Sequence, residues 1–334
     1  MNQVRLAVIG CGGNSSGHAR VMNQNPDVQI VATCDVNTEI SNSYIDRNLS
    51  DLEPRPQAFD NLDLMLAETA PNAVLISTPH TLHFEQGMKA LEAGCHVFIE
   101  KPMVTDADDA YTLAAKVEET GKVLVIGYNT PCTANFYYLR EQIRNQSLGK
   151  LELIIGYLSQ NWKRGTAGAW RQNPALSGGG QAYDSGAHLL NSLCWSVENN
   201  VAEVFAFIDN HGTQVDINSS INVHFESGVF ASIVVSGNCP SDSSHMTYIF
   251  DGGRIDIDGW GGGWIKVFEG SKQIENPPIT EEMNAGGPDK NFIDAIMGRA
   301  EPRTTPLNGI IQSELMDAIY ESGRTGQPAK PKSH

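Results

Sequence analysis

The sequence predicts an α/β protein in two parts. Residues 1–127 form a doubly wound parallel sheet, and residues 128–334 form an α+β domain with a large open, mainly antiparallel sheet. Three observations support this. The first half alternates short apolar strands with amphipathic helices. A glycine-rich turn, Gly10-Cys11-Gly12-Gly13, follows the first strand directly. After Gly127 strand-like runs dominate, and two of them are joined by the tight turn Glu226-Ser227-Gly228.

Val4–Ile9 reads as a buried parallel strand, followed after the glycines by a helix from about Ser16 to Asn25. Val28–Cys34 is a second β-branched strand. Residues 60–68 are helical, with Leu62, Leu64, Met65 and Leu66 as the apolar side. Ala73–Ser77 is a strand, and His83–Gly94 is a helix closed by its glycine. Cys95–Ile99 is an apolar strand that ends in Glu100-Lys101-Pro102. A helix over about 107–120 and a strand over 122–126 complete the first half. Beyond it lie a helix from about Asn135 to Asn145 and strands over 151–158, 201–208, 217–225, 229–236, 247–250 and 264–269. Closing helices near 290–322 are candidates for packing back onto the first domain. The tail from Gly323 is rich in Gly, Pro and Lys and is expected to be loose.

Composition bounds the function. At 334 residues the chain suits two domains, and its 19% charged and 40% hydrophobic residues are those of a globular protein. No stretch approaches the roughly 20 apolar residues needed to span a bilayer. The start, Met1-Asn2-Gln3-Val4-Arg5, has no secretory h-region. The six cysteines are scattered without a CxxC pair, so reduced thiols in a cytoplasm are expected rather than disulfides or a metal site. A net charge of −16 argues against nucleic acid as a partner.

Lys101 is the most informative residue. Glu and Lys are rarely left on core strands, and Pro102 stops the strand where the lysine emerges. In open parallel sheets, ligands bind beyond the carboxyl ends of the strands. Gly10 permits the tight turn, and Gly12 lets the backbone approach a pyrophosphate at the helix N-terminus. The usual third glycine falls at Ser15, which loosens helix–strand packing. A plain tight βα turn is the alternative. Asp35 ends the second strand where a carboxylate can accept from a ribose diol, or it is a strand-end cap. Asp35-Val36-Asn37-Thr38 has no Arg or Lys for a 2′-phosphate, so NAD is expected over NADP.

In the second half, Ser177-Gly178-Gly179-Gly180-Gln181-Ala182-Tyr183-Asp184-Ser185-Gly186-Ala187-His188 delivers the chain into a helix. The spacing puts Asp184 and His188 on one face, where the carboxylate can orient the imidazole. Such a pair can equally be a helix ion pair.

Together, Gly10-Cys11-Gly12-Gly13, Asp35, Thr78-Pro79 with His83, Glu100-Lys101-Pro102, Gly127-Tyr128-Asn129 and Gly178 through His188 resemble the glucose–fructose oxidoreductase / inositol dehydrogenase (Gfo/Idh/MocA) family. Phe292-Ile293-Asp294-Ala295-Ile296 and Ala318-Ile319-Tyr320-Glu321-Ser322 extend the resemblance to the end. The resemblance implies a Rossmann domain, an α+β domain that assembles homodimers or homotetramers through its sheet, and hydride transfer between a nicotinamide and a sugar or polyol hydroxyl. It implies Lys101, His188 and Asp184 as catalytic. Cofactor contacts fall to Gly10, Cys11, Gly12, Gly13, Asn14, Asp35, Ser77, Thr78, Pro79, Glu100, Lys101, Tyr128, Trp170 and Arg171. His83 counts with them, packing beneath the channel. Substrate contacts fall to Lys101, Asn129, Asp184, His188 and Trp162. Arg171 is equally readable as a surface ion pair, and His80 as a solvated loop residue. Asn191 stands where the family commonly has an acid.

An NAD-dependent oxidoreductase acting on a neutral sugar, cyclitol or glycoside is therefore expected, since no basic cluster flanks residues 177–191. Residues such as Tyr128, Asn129, Trp162, Asn238 and His245 could meet a hydroxylated ring. The alternatives are a redox-neutral glycosidase or lyase that retains NAD, and a non-catalytic NAD-binding regulator.

Overall fold

The computed structural model describes residues 3–332. The first strands and helices alternate as β1 (Val4–Ile9), α1 (Gly13–Asn23), β2 (Val28–Cys34), α2 (Thr38–Asn48), β3 (Gln57–Phe59), α3 (Leu62–Thr69), β4 (Ala73–Ile76), α4 (His83–Glu92), β5 (His96–Ile99), α5 (Ala107–Thr120) and β6 (Leu124–Ile126). The six strands pair in parallel in the order β3-β2-β1-β4-β5-β6. β4 and β5 are buried along their whole length, as strands covered on both faces must be. The strand order reverses between β1 and β4, whose ends Ile9 and Ile76 lie side by side. That reversal opens the crevice in which such sheets take ligands.

Asn37, Asn61 and Asp106 cap α2, α3 and α5 through their side-chain oxygens. α1 begins instead at Gly12, with no side-chain cap. α2 and β3 were not expected from the sequence. Only Ser41, Tyr44 and Ile45 of α2 are buried, so it carries almost no apolar stripe. In α3, Leu64 is exposed and Thr69 takes the buried place instead. Ser15 does not loosen the packing: it is fully buried, and its hydroxyl donates to the Gly12 carbonyl at 2.9 Å.

The second half runs α6 (Ala134–Arg144), β7 (Leu151–Ser159), α7 (Trp162–Gly165), α8 (Pro174–Ser177), α9 (Gly186–Val197), β8 (Val201–Asp209), β9 (Asn218–Phe225), β10 (Phe230–Ser236), β11 (Ser243–Phe250), β12 (Gly253–Ile257), β13 (Ile265–Glu269) and β14 (Lys272–Ile274), then α10 (Pro288–Ile296) and α11 (Pro306–Thr325). Its eight strands lie in the order β14-β13-β12-β11-β7-β10-β9-β8. The expectation of consecutive antiparallel strands needs one correction. β7 sits in the middle, antiparallel to β11 but parallel to β10. The long connection through α7–α9 allows that crossover, which no two-residue turn could make. The tail is also less loose than expected: α11 runs past Gly323, and Ala329 exchanges two 2.8 Å hydrogen bonds with Val204.

The contacts divide the chain differently from a single break at residue 127. One unit runs to Gly127 and takes in Gly286–Leu307; the other holds Tyr128–Ala285 and the chain from Asn308. Long-range bonds explain the excursion. Thr304 donates its hydroxyl to the Ile126 carbonyl at 2.7 Å, the Phe292 ring meets Phe98 edge-on at 5.7 Å, and Arg299 pairs with Asp27 at 2.6 Å.

In the second unit, Ala231, Ile233 and Val235 of β10 turn inward, while Phe230 and Val234 turn out. The inner face packs on α9, which is buried from Gly186 to Ser196. Asp216 holds the turn leading to α9. Its carboxylate accepts from the backbone N–H of Gly180 and of Ala182, each at 2.7 Å, and from the Tyr320 hydroxyl at 2.5 Å. A Cβ on Gly180 would stand 2.0 Å from the Asp216 carbonyl oxygen, and one on Gly179 would stand 2.3 Å from the Tyr320 hydroxyl. Those glycines are needed for packing. Asp216→Ala should destabilise the protein by about 3 kcal/mol or more, because it orphans three buried donors. Urea unfolding against wild type, with Asp216→Asn as the milder control, checks this.

Candidate active site

The nucleotide end is built in the first unit. Gly10 has φ near +90°, and a Cβ there would lie 2.6 Å from the Ser77 carbonyl oxygen. Only glycine lets β1 and β4 finish so close together. The next residues are the opposite case. A Cβ on Gly12 or Gly13 would meet nothing within 4 Å, and Asn14 beside them is exposed. An uncapped helix N-terminus facing open space, with no acidic side chain in its first turn, suits a pyrophosphate. These residues fit a dinucleotide.

Asp35 combines the two roles open to it in the sequence. Its carboxylate accepts from the Cys11 N–H at 2.7 Å and from the Val36 N–H at 2.8 Å. It caps the strand end and is thereby held in one orientation at the turn, with acceptor capacity left for a ribose diol. The Cys11 side chain points inward, and burial pushes its thiol up to about 12, so it stays neutral.

Glu100, Lys101 and Pro102 are all buried, and the Lys101–Pro102 peptide bond is cis. The Lys101 N–H donates to the Glu100 carboxylate at 3.1 Å. A histidine grips the residue on each side of the lysine. His83, fully buried, faces the Pro102 carbonyl at 2.8 Å and the Thr78 carbonyl at 3.0 Å. Burial lowers its pKa, and a neutral ring donates to one of the two carbonyls at a time. It is a tie, not an acid. His80 is buried too, edge-on to His83, which corrects the solvated-loop reading.

The other grip was not anticipated. His18, on α1, lies 2.5 Å from a Glu100 oxygen and 2.7 Å from an Asp289 oxygen of α10. Burial alone would lower its pKa, but hydrogen bonds to Asp289 and Glu100 and their two charges raise it to about 10. The imidazolium thus ties the nucleotide helix, the strand end carrying Lys101, and α10. His18 was visible as the only histidine near the glycine turn, but Asp289, 271 positions away, was not.

In the second unit, Asp184 lies in the turn before α9 and not on the helix, because the helix begins at Gly186. The expected shared face with His188 is therefore not how the pair is built. Asp184 accepts from the Trp162 indole N–H at 2.7 Å and from Arg171 Nε at 3.1 Å. That pairing, with the guanidinium 4.4 Å over the Trp170 ring, replaces the reading of Arg171 as a surface ion pair. Trp162 is buried against Val215 and Ile217, so it holds the carboxylate and offers no stacking face. His188 is 7% exposed, with its ring 5.7 Å from Tyr128 and 4.4 Å from Trp260. Asn129, next to Tyr128, is exposed. Asn191 is fully buried: its amide donates to Gln312 at 3.0 Å, which in turn donates to the Ala187 carbonyl at 3.1 Å. Asn238 pairs with His211, and His245 stacks on Tyr157 of the sheet.

This is the equipment of a nucleotide-dependent oxidoreductase, and the comparisons agree. The profile of the Gfo/Idh/MocA oxidoreductase family, NAD-binding Rossmann fold, matches residues 4–128, and that of the GFO/IDH/MocA C-terminal domain matches 136–263. The chain belongs to this family, and its first unit carries the family's NAD-binding fold. It is 29% identical over 195 residues to the D-glucoside 3-dehydrogenase of Escherichia coli, covering 58% of this chain and 53% of that protein. It is 28% identical over 155 residues to Glycosyl hydrolase family 109 protein 2 of Akkermansia muciniphila, covering 45% and 33%. Over 194 residues it is 28% identical to the scyllo-inositol 2-dehydrogenase (NADP(+)) of Bacillus subtilis, covering 57% and 51%. These alignments span about half or less of the curated relatives. In fold, it matches the WlbA dehydrogenase of Bordetella pertussis, in complex with NADH and UDP-GlcNAcA, with a TM-score of 0.84 at 22% identity over 99% of this chain and all of that one.

His18→Leu should cost roughly 3–5 kcal/mol, since it leaves two buried carboxylates without their cation. Because folding raises the pKa from 6.5 to about 10, this contribution is complete below pH 6.5, declines as pH rises, and is gone above about pH 10. Thermal unfolding across that window should show the gap between wild type and variant closing. A gap independent of pH would remove the imidazolium from the account.

Proposed function

We propose that the protein is an NAD-dependent dehydrogenase that moves a hydride between the nicotinamide and a secondary hydroxyl, or ketone, of a neutral sugar, cyclitol or glycoside. The observation that carries this reading is the clamp on Asp184. A carboxylate held by an indole N–H and a guanidinium, four residues before a histidine between two aromatic rings, suits hydroxyl recognition and proton transfer. Arg171 is already paired there, so it offers no cradle for an anionic substrate. The E. coli and B. subtilis relatives, named for a glucoside and an inositol, support the same class.

NAD held at the Gly10–Gly13 turn and Asp35 would supply the hydride acceptor, C4 of its nicotinamide ring. His188 takes the hydroxyl proton, as a histidine ordinarily titrates close to neutral pH. On the first unit, the Lys101 ammonium is the group suited to donate to an oxygen that develops negative charge. Asp184 accepts from a neighbouring hydroxyl. Asp35, with no basic residue through Thr38, favours the free ribose of NAD over a 2′-phosphate.

A second reading, redox-neutral cleavage of a glycoside by retained NAD, draws on the family 109 relative. One experiment separates the two. The protein is mixed with NAD and a panel of sugars, cyclitols and glycosides, with NADH followed optically and products identified by NMR. Accumulating NADH and a keto product support the dehydrogenase; cleavage without NADH, with stoichiometric nucleotide in the denatured protein, supports the alternative. Lys101→Ala should lower turnover by about 100-fold or more and leave the NAD dissociation constant within about twofold. If turnover survives, Lys101 has no proton role.

The outer face of the second unit's sheet exposes Ile155, Tyr157, Phe207, Phe230 and Val234. We propose that it pairs with a second copy, giving a homodimer or homotetramer. Sedimentation should find no monomer at micromolar concentration, and Phe230→Lys with Val234→Lys should release it. A monomeric wild type would overturn this pairing.

A further inference from the structure

The family relationship leaves one hollow of the second unit unassigned. It has a volume of about 470 Å³ and lies between the end of β7, the start of β11 and the loop joining β12 to β13. That volume is within the range of small-molecule sites. Its lining includes Trp260, Gln160, Ser159, Ser243, Asp242 and Asp258. No lysine, arginine or histidine lines it.

Trp260 joins this hollow to the proposed chemistry. Its ring centroid lies 4.4 Å from that of His188, yet the residue is 36% exposed. The indole therefore touches His188 and also forms a wall of the hollow. Its loop is held in place from several directions. The Asp258 carboxylate accepts from the backbone N–H groups of Trp260 at 3.1 Å, Gly261 at 3.2 Å and Gly263 at 3.0 Å. The Gly262 carbonyl accepts from the Asn135 amide at 2.6 Å, and a Cβ on Gly259 would stand 2.7 Å from the Ser244 hydroxyl. An exposed tryptophan on a pinned loop is a preorganised surface that loses little freedom when something rests on it.

The chemistry of the lining selects the occupant. The electron-rich indole face attracts the weakly positive C–H edge of a saturated ring. The Gln160 amide and the Asp242 carboxylate among the lining residues have the chemistry to donate to and accept from ring hydroxyls. Asp242 is exposed and accepts from the Asn161 N–H at 3.3 Å, so it retains acceptor capacity toward the hollow. An anionic ring would meet two carboxylates and no cation. We propose that this hollow is a second sugar subsite. In it, Trp260 carries the neighbouring, uncharged ring of a glycoside or oligosaccharide whose reacting ring lies at His188. The inference rests on the sugar reading of His188 for the position of the reacting ring. It adds that the substrate has at least two rings.

The test compares methyl glucosides with cellobiose and maltose on the NAD-loaded protein, by ligand-observed NMR and by NADH formation. In wild type at least one disaccharide should bind about tenfold or more tighter than the methyl glucosides, with saturation transfer to both rings. Trp260→Ala and, separately, Asp242→Ala should abolish that preference and the transfer to the second ring, while Trp260→Phe should retain most of both. Equal affinity for one-ring and two-ring ligands in wild type overturns the subsite. So does a preference that both alanine variants leave intact, or one seen only for an amino sugar such as chitobiosamine. A disaccharide bound through Trp260 without NADH formation supports the subsite and counts against the dehydrogenase reading. Turnover of the methyl glucosides alone does the reverse.

Discussion

Lys101 emerges between two residues that are each gripped by a histidine, and the nucleotide end of the protein depends on that arrangement. On one side His18 binds the Glu100 carboxylate; on the other His83 faces the Pro102 carbonyl. The grips differ in kind. The first is a cation between two carboxylates, with a pKa raised to about 10, so it stays charged through the neutral range. The second is a buried ring whose charge burial opposes, so it acts by shape and hydrogen bonding. Fixing the chain on both sides of Lys101 sets where its Cα stands and the direction in which its four-carbon stem leaves the sheet.

The same strategy recurs in the second unit, built from other residue types. Asp184 is held by the Trp162 indole and by Arg171, while Asp216 and Tyr320 hold the glycine turn before it. Lys101 and Asp184 thus lie on short connections at the ends of regular elements, with His188 in the first turn of α9, and their surroundings are braced by partners far away in sequence. Loops carry function when a rigid scaffold sets their geometry. Here the scaffold reaches them through buried carboxylates, each satisfied by several donors, an arrangement costly to disrupt and therefore specific.

Much of the architecture was legible in the sequence, because fully buried parallel strands and alternating antiparallel ones leave strong patterns. β1, β2 and α5 lie where periodicity and capping put them. What escaped had weak local signals. α2 buries three residues, β3 and β14 are three residues long, and the parallel pairing of β7 with β10 depends on a crossover that no local pattern encodes. The site followed the same rule. The tight turn at Gly10, the strand-end place of Asp35 and the lysine that ends β5 were legible from motif chemistry, whereas the long-range ties of Asp289, Asp216 and Tyr320 leave no local mark in the sequence. Trp162, expected to meet substrate, is a buried brace, and Trp260, which no motif marked, is the more exposed indole. Burial decides whether an indole braces or binds, and burial is a property of the tertiary fold.

That difference in burial bears on what the second unit can recognise. A buried indole can offer only its N–H, and Trp162 spends it on Asp184. A half-exposed indole on a loop pinned by Asp258 offers a face instead, and Trp260 presents one beside His188. The two tryptophans therefore act at different scales: one sets the angle of a single carboxylate, the other supplies an area. Orienting a hydroxyl needs the first. Selecting among molecules that share that hydroxyl needs the second, because one more apolar contact in a fixed pocket discriminates by about one to three kcal/mol. On the proposed function, specificity should then depend less on the residues assigned to proton transfer than on the glycine-rich loop that carries Trp260.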